Sequence, residues 1–119
     1  MKKTLIIGAT PNEDRYAYKA AGKLIEAGHQ IIPFGIKKGE VFGETIINEW
    51  EDFKDIDTVT IYVGAVRQDA YYDKIILLNP NRVLFNPGTE NPDFQTKLIK
   101  AGIEVEEACT LVLLSLKNY

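Results

Sequence analysis

The sequence predicts a three-layer α/β fold, in which a doubly wound parallel sheet of about five strands carries helices on both faces. Two observations support this prediction. Short apolar runs rich in β-branched residues alternate along the 119 residues with stretches whose apolar positions recur at helical spacing. Glycine or asparagine follows most of these segments, where it can end a helix or a strand. Right-handed crossovers between parallel strands then favour the strand order 3-2-1-4-5.

Each element predicted in the first half of the chain has its own local signal. Apolar residues recur at helical spacing from Asp14 to Ala27, and Gly28 is placed to end that helix. The stretch Gly35–Gly43 is rich in glycine and lysine, which predicts a loop. The other predicted segments are a strand at Leu5–Ile7, a strand at Gln30–Phe34, a short extended piece at Thr45–Ile47 and one helical turn at Glu49–Phe53.

The second half of the chain continues the alternation. Asn91 is a credible N-cap with Pro92 at the first helical position, and Gly102 closes the helix that follows. Periodicity does not decide whether Thr110–Leu116 is a helix or a strand. The remaining predictions are strands at Thr58–Val63, Arg82–Phe85 and Ile103–Val105, and a helix at Arg67–Leu78.

Length and composition limit the classes of function. A chain of 119 residues with 45% hydrophobic content predicts a single domain over residues 1–119. A net charge of -3 disfavours nucleic acid as the main partner. Cys109 is the one cysteine, so no intramolecular disulfide forms, and no apolar stretch approaches the roughly 20 residues that would cross a membrane. We therefore expect a soluble cytoplasmic protein.

The loop between the first strand and the first helix is a candidate phosphate cradle. It consists of Gly8, Ala9, Thr10, Pro11 and Asn12, small residues that precede the unpaired amides and the positive dipole end of a helix. Only Gly8 of the three glycines of a dinucleotide fingerprint is present. The acidic residues that follow, Glu13 and Asp14, satisfy the same helix dipole and would repel a phosphate unless they point to solvent.

Basic residues stand at two places where a nucleotide could meet them. Arg15 lies at the start of the first helix and could grip a phosphate with two hydrogen bonds, although a solvated arginine is the common alternative. Lys37 and Lys38 follow the second strand, where related sheets read the ribose, and they favour a ligand with a further phosphate over NAD. Phe34 and Ile36 could flank a flat base, unless Phe34 simply packs inward.

No catalytic constellation can be assembled from the sequence. Cys109 and Glu90 are the candidates for covalent or acid–base chemistry at the carboxyl edge of the sheet, whereas His29 lies at the end of the first helix, away from that edge. A nucleophile, a base and an orienting group do not come together by spacing. One histidine and one cysteine do not make a metal-ligand cluster. We expect no enzymatic activity from these residues.

Taken together, five segments resemble the CoA-binding domain family, small Rossmann-like domains related to the nucleotide-binding part of the succinyl-CoA synthetase alpha subunit. The resemblance extends over nearly the whole chain and depends on order and spacing more than on any single motif. The segments are IGATPNEDR, IPFGIKKGEVFGE, TIYVGAVRQ, VLFNPGTEN and AGIEVEEAC.

The resemblance implies which residues would bind CoA. The opening loop would line the pyrophosphate, and basic side chains would meet the phosphates. The second strand's end would border the adenosine, and two further turns would border the rest of the pocket. The implied residues are Gly8, Ala9, Thr10, Pro11 and Asn12 of the loop, the cations Arg15, Lys37 and Lys38, Phe34, Gly35 and Ile36, and Val63, Gly64, Val66, Asn86, Pro87 and Gly88.

The sequence therefore predicts a stand-alone protein that binds CoA or acyl-CoA without catalysis of its own. Two alternatives remain open. An NAD(P)-binding redox or sensor protein would use the lysines after the second strand for NADP. A degenerate module would instead act by protein association through exposed apolar surface, including the tail Leu111–Tyr119. A homo-oligomer or a protein partner is compatible with each of these hypotheses.

Overall fold

A computed structural model describes all residues from 1 to 119 and contains a five-stranded parallel sheet beside a small antiparallel hairpin. The doubly wound α/β prediction is confirmed. In chain order the strands are β1 (Thr4–Ile7), β2 (Ile31–Phe34), β3 (Glu40–Val41), β4 (Glu44–Thr45), β5 (Thr58–Ile61), β6 (Arg82–Phe85) and β7 (Glu104–Glu107). The hairpin pairs β3 with β4, within and just beyond the predicted loop.

Helices cover both faces of the sheet, which gives the predicted three layers. The helices are α1 (Tyr16–Glu26), α2 (Tyr72–Leu78), α3 (Pro92–Lys100) and α4 (Thr110–Ser115). One apolar cluster joins α2 and α3 to alternate residues of the strands, including Ile7, Val59 and Phe85. A second cluster joins α1 and the partly buried α4 to the opposite face of the sheet, where Ile6 and Leu84 lie. No helix is long and apolar enough to span a membrane.

The predicted strand order is wrong. The sheet has the order β2-β1-β5-β6-β7, so the third long strand lies beside the first and not outside the second. The outer edge of β2 is occupied by Ile47, whose amide donates to Pro33 O at 2.9 Å and whose carbonyl accepts from Gly35 N at 3.1 Å. With this edge taken, β5 pairs with the free edge of β1.

Two element predictions also change, and the segment left undecided is resolved. Glu49–Phe53 is not helical; Trp50 and Phe53 instead pack edge-on against Phe34, with ring centroids 5.2 and 6.3 Å away. The helix predicted from Arg67 begins as two 3₁₀ turns, Ala65–Arg67 and Asp69–Tyr71, before α2. The undecided C-terminal segment is a helix, α4.

Candidate functional site

A cavity of about 590 Å³ opens at the carboxyl ends of β1, β2, β5 and β6. This is the edge where parallel α/β sheets bind their ligands. Its surface is formed by polar backbone groups, three cations, three tyrosines and several small or apolar residues. The lining residues are Gly8, Ala9, Thr10, Arg15, Tyr16, Ala17, Gly35, Ile36, Lys37, Tyr62, Val63, Gly64, Arg67, Tyr71, Pro87 and Thr89.

Two glycines let the loops at this edge pack directly on one another. Gly8 has a φ of +98°, and a Cβ on it would lie 3.0 Å from Val63 Cγ1. A Cβ on Gly35 would lie 2.7 Å from Ala9 O. Real Cβ atoms do not come as close as 2.7 Å, and side chains rarely adopt the positive φ of Gly8. Both positions therefore favour glycine if the loops after β1, β2 and β5 are to form one continuous wall.

The amino end of α1 presents unpaired amides to this cavity. The amides of Gly8 and Ala9 are already bonded to Phe34 O, at 2.9 and 3.0 Å. The amides of Tyr16 and Ala17 have no acceptor, and the Arg15 side chain does not cap the helix. An 11-residue helix with an uncapped start offers its positive dipole end to an anion. The amides that can donate to a bound anion are therefore those of Tyr16 and Ala17 in the helix, and not those of Gly8 and Ala9 in the loop.

The acidic residues beside the loop do not line the cavity. Asn12 Oδ1 accepts a hydrogen bond from the Asp14 amide at 3.0 Å, forming a tight turn ahead of the helix. Glu13 and Asp14 are exposed, absent from the cavity surface and outside the first turn of α1. Their side chains therefore do not cover the amides at the start of α1.

Three cations line the cavity without ion-pair partners. Arg15, Lys37 and Arg67 come from three different segments, and none of them forms a salt bridge. No aspartate or glutamate is among the lining residues. The cavity is therefore cationic although the whole chain carries a net charge of -3.

A side-chain amide holds the turn that carries Lys37. Asn48 Nδ2 donates to Gly35 O at 2.7 Å and to Lys37 O at 2.8 Å. The neighbouring Lys38 is also exposed but does not line the cavity. The structure thus distinguishes two adjacent lysines that the sequence could not separate.

Two buried amide side chains fix the other walls. Gln68 is 1% exposed, and its Nε2 donates to Val63 O at 2.9 Å and to Thr89 O at 2.8 Å. Asn86 donates to Thr60 Oγ1 and Ile61 O and accepts from the Thr110 amide, at 2.7, 2.9 and 2.9 Å. Asn86 is therefore a buried structural residue that ties β5, β6 and α4 together.

Tyr62 lines the cavity, and its hydroxyl is buried without a hydrogen-bond partner. Burial raises the pKa of Tyr62 to about 12, and the nearby Thr110 and Thr60 side chains counteract part of that rise. The hydroxyl stays neutral at physiological pH. It is no source of negative charge in the cavity.

The structure brings together ten of the residues that the resemblance selected. They are Gly8, Ala9, Thr10, Arg15, Gly35, Ile36, Lys37, Val63, Gly64 and Pro87. The other seven do not line the cavity: Pro11, Asn12, Phe34, Lys38, Val66, Asn86 and Gly88. Phe34 is 4% exposed and belongs to the core, and the Gly88 amide is bonded to Glu90 Oε1 at 2.9 Å.

Sequence reasoning missed six lining residues, Tyr16, Ala17, Tyr62, Arg67, Tyr71 and Thr89. Tyr16 and Ala17 are the first residues of α1, so an exact prediction of the start of the helix would have identified them. Arg67 belongs to the segment TIYVGAVRQ that carries the family resemblance, but it is not among the residues that the resemblance selects for binding. Its position soon after a strand, at the same edge as Lys37, is the signal that could have identified it.

Residues with metal-binding or nucleophilic chemistry lie elsewhere. No group of three or more His, Cys, Asp or Glu side chains could hold a metal ion. Cys109 is a free thiol that precedes α4 and does not line the cavity. His29 Nδ1 accepts from the Lys2 amide at 2.8 Å, beyond the opposite end of β1.

Comparisons with known proteins agree with this fold. The sequence pattern of the CoA binding domain matches residues 2–115. No curated protein matches the chain. The crystal structure of an uncharacterised protein is 52% identical, covers 100% of this chain and 98% of its own, and has a TM-score of 0.98.

Two further solved structures share the fold at lower identity. A Thermus thermophilus protein is 23% identical, covering 99% of this chain and 90% of its own with a TM-score of 0.86. A hypothetical protein from Pyrococcus horikoshii OT3 is 26% identical, covering 93% and 80% with a TM-score of 0.85. Since the matched pattern extends over nearly the whole chain, the chain belongs to the CoA binding domain family.

Proposed function

We propose that this chain is a stand-alone protein that binds CoA or acyl-CoA in the cavity at the carboxyl edge of its sheet. One observation carries the proposal within this family. Three unpaired cations and the uncapped start of α1 converge on one cavity that has no acidic lining residue. A ligand with several phosphates supplies the negative charge that such a surface favours.

The parts of CoA have natural positions in the cavity. The diphosphate would lie at the amides of Tyr16 and Ala17, with Arg15 beside it, because charge-assisted bonds to amides and guanidinium favour phosphate. Lys37, after β2, would meet the phosphate on the ribose, as residues at this position do in nucleotide-binding sheets. Ile36, which is 77% exposed, would then cover one face of the adenine.

The cavity supports binding without catalysis. Its lining holds no cysteine to form a thioester, and no histidine or carboxylate, the side chains that most often transfer a proton at neutral pH. The proposed role is therefore to hold or sense the cofactor. The acyl group remains free to vary in this proposal.

Calorimetric titration of the ligand-stripped protein tests the proposal, with CoA, acetyl-CoA, NADH and NADPH compared. We expect CoA and acetyl-CoA to bind and to stabilise the fold by about 2.7 kcal/mol at a hundredfold excess over Kd. The adjacent lysines provide a matched pair of variants. Lys37→Gln should weaken CoA binding about tenfold, equivalent to about 1.4 kcal/mol, whereas Lys38→Gln should leave it unchanged.

Two results would contradict the proposal. One is the absence of CoA binding at millimolar concentration. The other is binding of NADPH alone, which would support the redox or sensor alternative. Equal effects of the two lysine substitutions would show that the cavity surface is not where the ligand lies.

A further inference from the structure

We propose that Arg67 is a second phosphate-binding arginine, which holds the diphosphate of the bound nucleotide from the side of the cavity opposite Lys37. The inference rests on the proposed function and adds to it a residue and a division of tasks. Arg67 and Arg15 would hold the diphosphate, whereas Lys37 would hold the phosphate on the ribose.

The topology places Arg67 and Lys37 on opposite sides of the first loop. Lys37 follows β2, which pairs with one edge of β1, and Arg67 follows β5, which pairs with the other edge. Neighbouring strands lie about 4.8 Å apart, so the segments that follow β2 and β5 leave the sheet on either side of the loop after β1. Val63 lies so close to Gly8 that a Cβ there would be 3.0 Å away, so the segment after β5 and the loop are in direct contact.

A rigid turn presents Arg67. Its amide donates to Gly64 O at 2.9 Å within the 3₁₀ turn Ala65–Arg67. The next residue, Gln68, is buried and bonded to both Val63 O and Thr89 O, and it accepts from Asn91 Nδ2 at 3.0 Å. A backbone fixed on both sides limits the conformational entropy that the arginine loses when it binds an anion.

The guanidinium is free to bind a ligand. Arg67 lines the cavity, is exposed and forms no salt bridge with the carboxylates of the chain. Its five donors in a planar fork suit the oxygens of a phosphate group better than a single ammonium does. Because no carboxylate of the chain pairs with it, the guanidinium is available to an anion that enters the cavity.

The diphosphate is the part of CoA that fits this position. The ribose phosphate belongs to the adenosine side, which the end of β2 borders. The pantetheine arm is neutral and gives a guanidinium no counter-charge. The open amides at the start of α1 place the diphosphate beside the loop, and Arg67 flanks that loop.

Calorimetry with CoA and dephospho-CoA, which lacks the ribose phosphate, separates these tasks. We expect Arg67→Gln to weaken both ligands about tenfold and by the same factor, since both keep the diphosphate. Lys37→Gln should weaken CoA more than dephospho-CoA. In ³¹P NMR of bound CoA, Arg67→Gln should move the diphosphate signals and leave the ribose phosphate signal in place.

Lys100→Gln is the control variant, because Lys100 is an exposed cation at the far end of α3 and outside the cavity. A less than twofold effect of Arg67→Gln, or an effect seen with CoA but not with dephospho-CoA, would overturn the inference while leaving the proposed function intact. Failure of the unaltered protein to bind either ligand would instead refute the proposed function, and the inference with it.

Discussion

The Tyr62 hydroxyl makes stability depend on pH in the alkaline range. Burial without a partner favours its neutral form, so the pKa is raised from 10.0 to about 12. Stability from the neutral form is complete below pH 10 and is lost as the pH rises through about 12. The loss approaches about 2.7 kcal/mol once the pH exceeds the folded pKa, since each pKa unit corresponds to about 1.36 kcal/mol.

The variant Tyr62→Phe tests this effect of a single hydroxyl. We expect its free energy of unfolding at pH 7 to equal or exceed that of the unaltered protein, because no hydrogen bond is lost. Urea unfolding between pH 7 and pH 11 should show a smaller alkaline loss in the variant. The same decline in both proteins would mean that other tyrosines dominate.

At the residue scale the sequence identified chemistry more readily than orientation. The cations Arg15 and Lys37 were predicted and do line the cavity. Lys38, Phe34 and Asn86 have equally suitable side chains, but none of them lines the cavity. Lys38 is exposed outside it, and Phe34 and Asn86 are buried in the protein. Local composition does not determine which of two adjacent residues faces a cavity, since that depends on contacts such as those of Asn48 with the turn.

At the scale of elements, Gly35 joins the turn after β2 to the loop after β1. Gly35→Ala should destabilise the protein by about 1–3 kcal/mol, because its Cβ would lie 2.7 Å from Ala9 O and the two backbones would have to move apart. The displacement should also weaken CoA binding. Thermal unfolding and calorimetry measure the two effects.

Gly64→Ala is the matched control for this prediction. Gly64 also lines the cavity, but its φ is -65° and a Cβ on it would meet nothing within 4 Å. We expect unchanged or slightly increased stability, since alanine restricts the unfolded chain. Equal destabilisation by both substitutions would show that close packing of the loops is not the cause.

The elements were predictable where their signals are local, and the strand order was not. The helix carrying Ala17 and Leu24 and the helix capped by Asn91 appear close to their predicted places. The order depends on Ile47, which covers the outer edge of β2 through two backbone hydrogen bonds. Backbone pairing between distant residues leaves no periodic trace in a sequence, so the position of β5 beside β1 could not be deduced.

At the scale of the whole molecule, charge is distributed unevenly, because the cavity is cationic although the chain has a negative net charge. A chain with a net charge of -3 gathers Arg15, Lys37 and Arg67 around one cavity, so the remaining surface is more acidic than the total suggests. Composition therefore excluded a general attraction to polyanions and left a local anion site open. Such a separation of charge favours a small anion that enters the cavity over a long polyanion that must cross the acidic surface.

This distribution predicts that CoA affinity falls as salt is added. Exposed charges are screened over about 10 Å at 0.1 M ionic strength, so Kd should increase several-fold between 20 and 300 mM NaCl. Arg67→Gln removes one of the three cavity cations, and its Kd should therefore depend less steeply on salt, whereas Lys100→Gln should keep the original dependence. Calorimetric titrations over this range measure the slopes. If Arg67→Gln and the unaltered protein had the same slope, the guanidinium would not contribute its charge to the bound state, and affinity would depend on the helix amides and the other two cations.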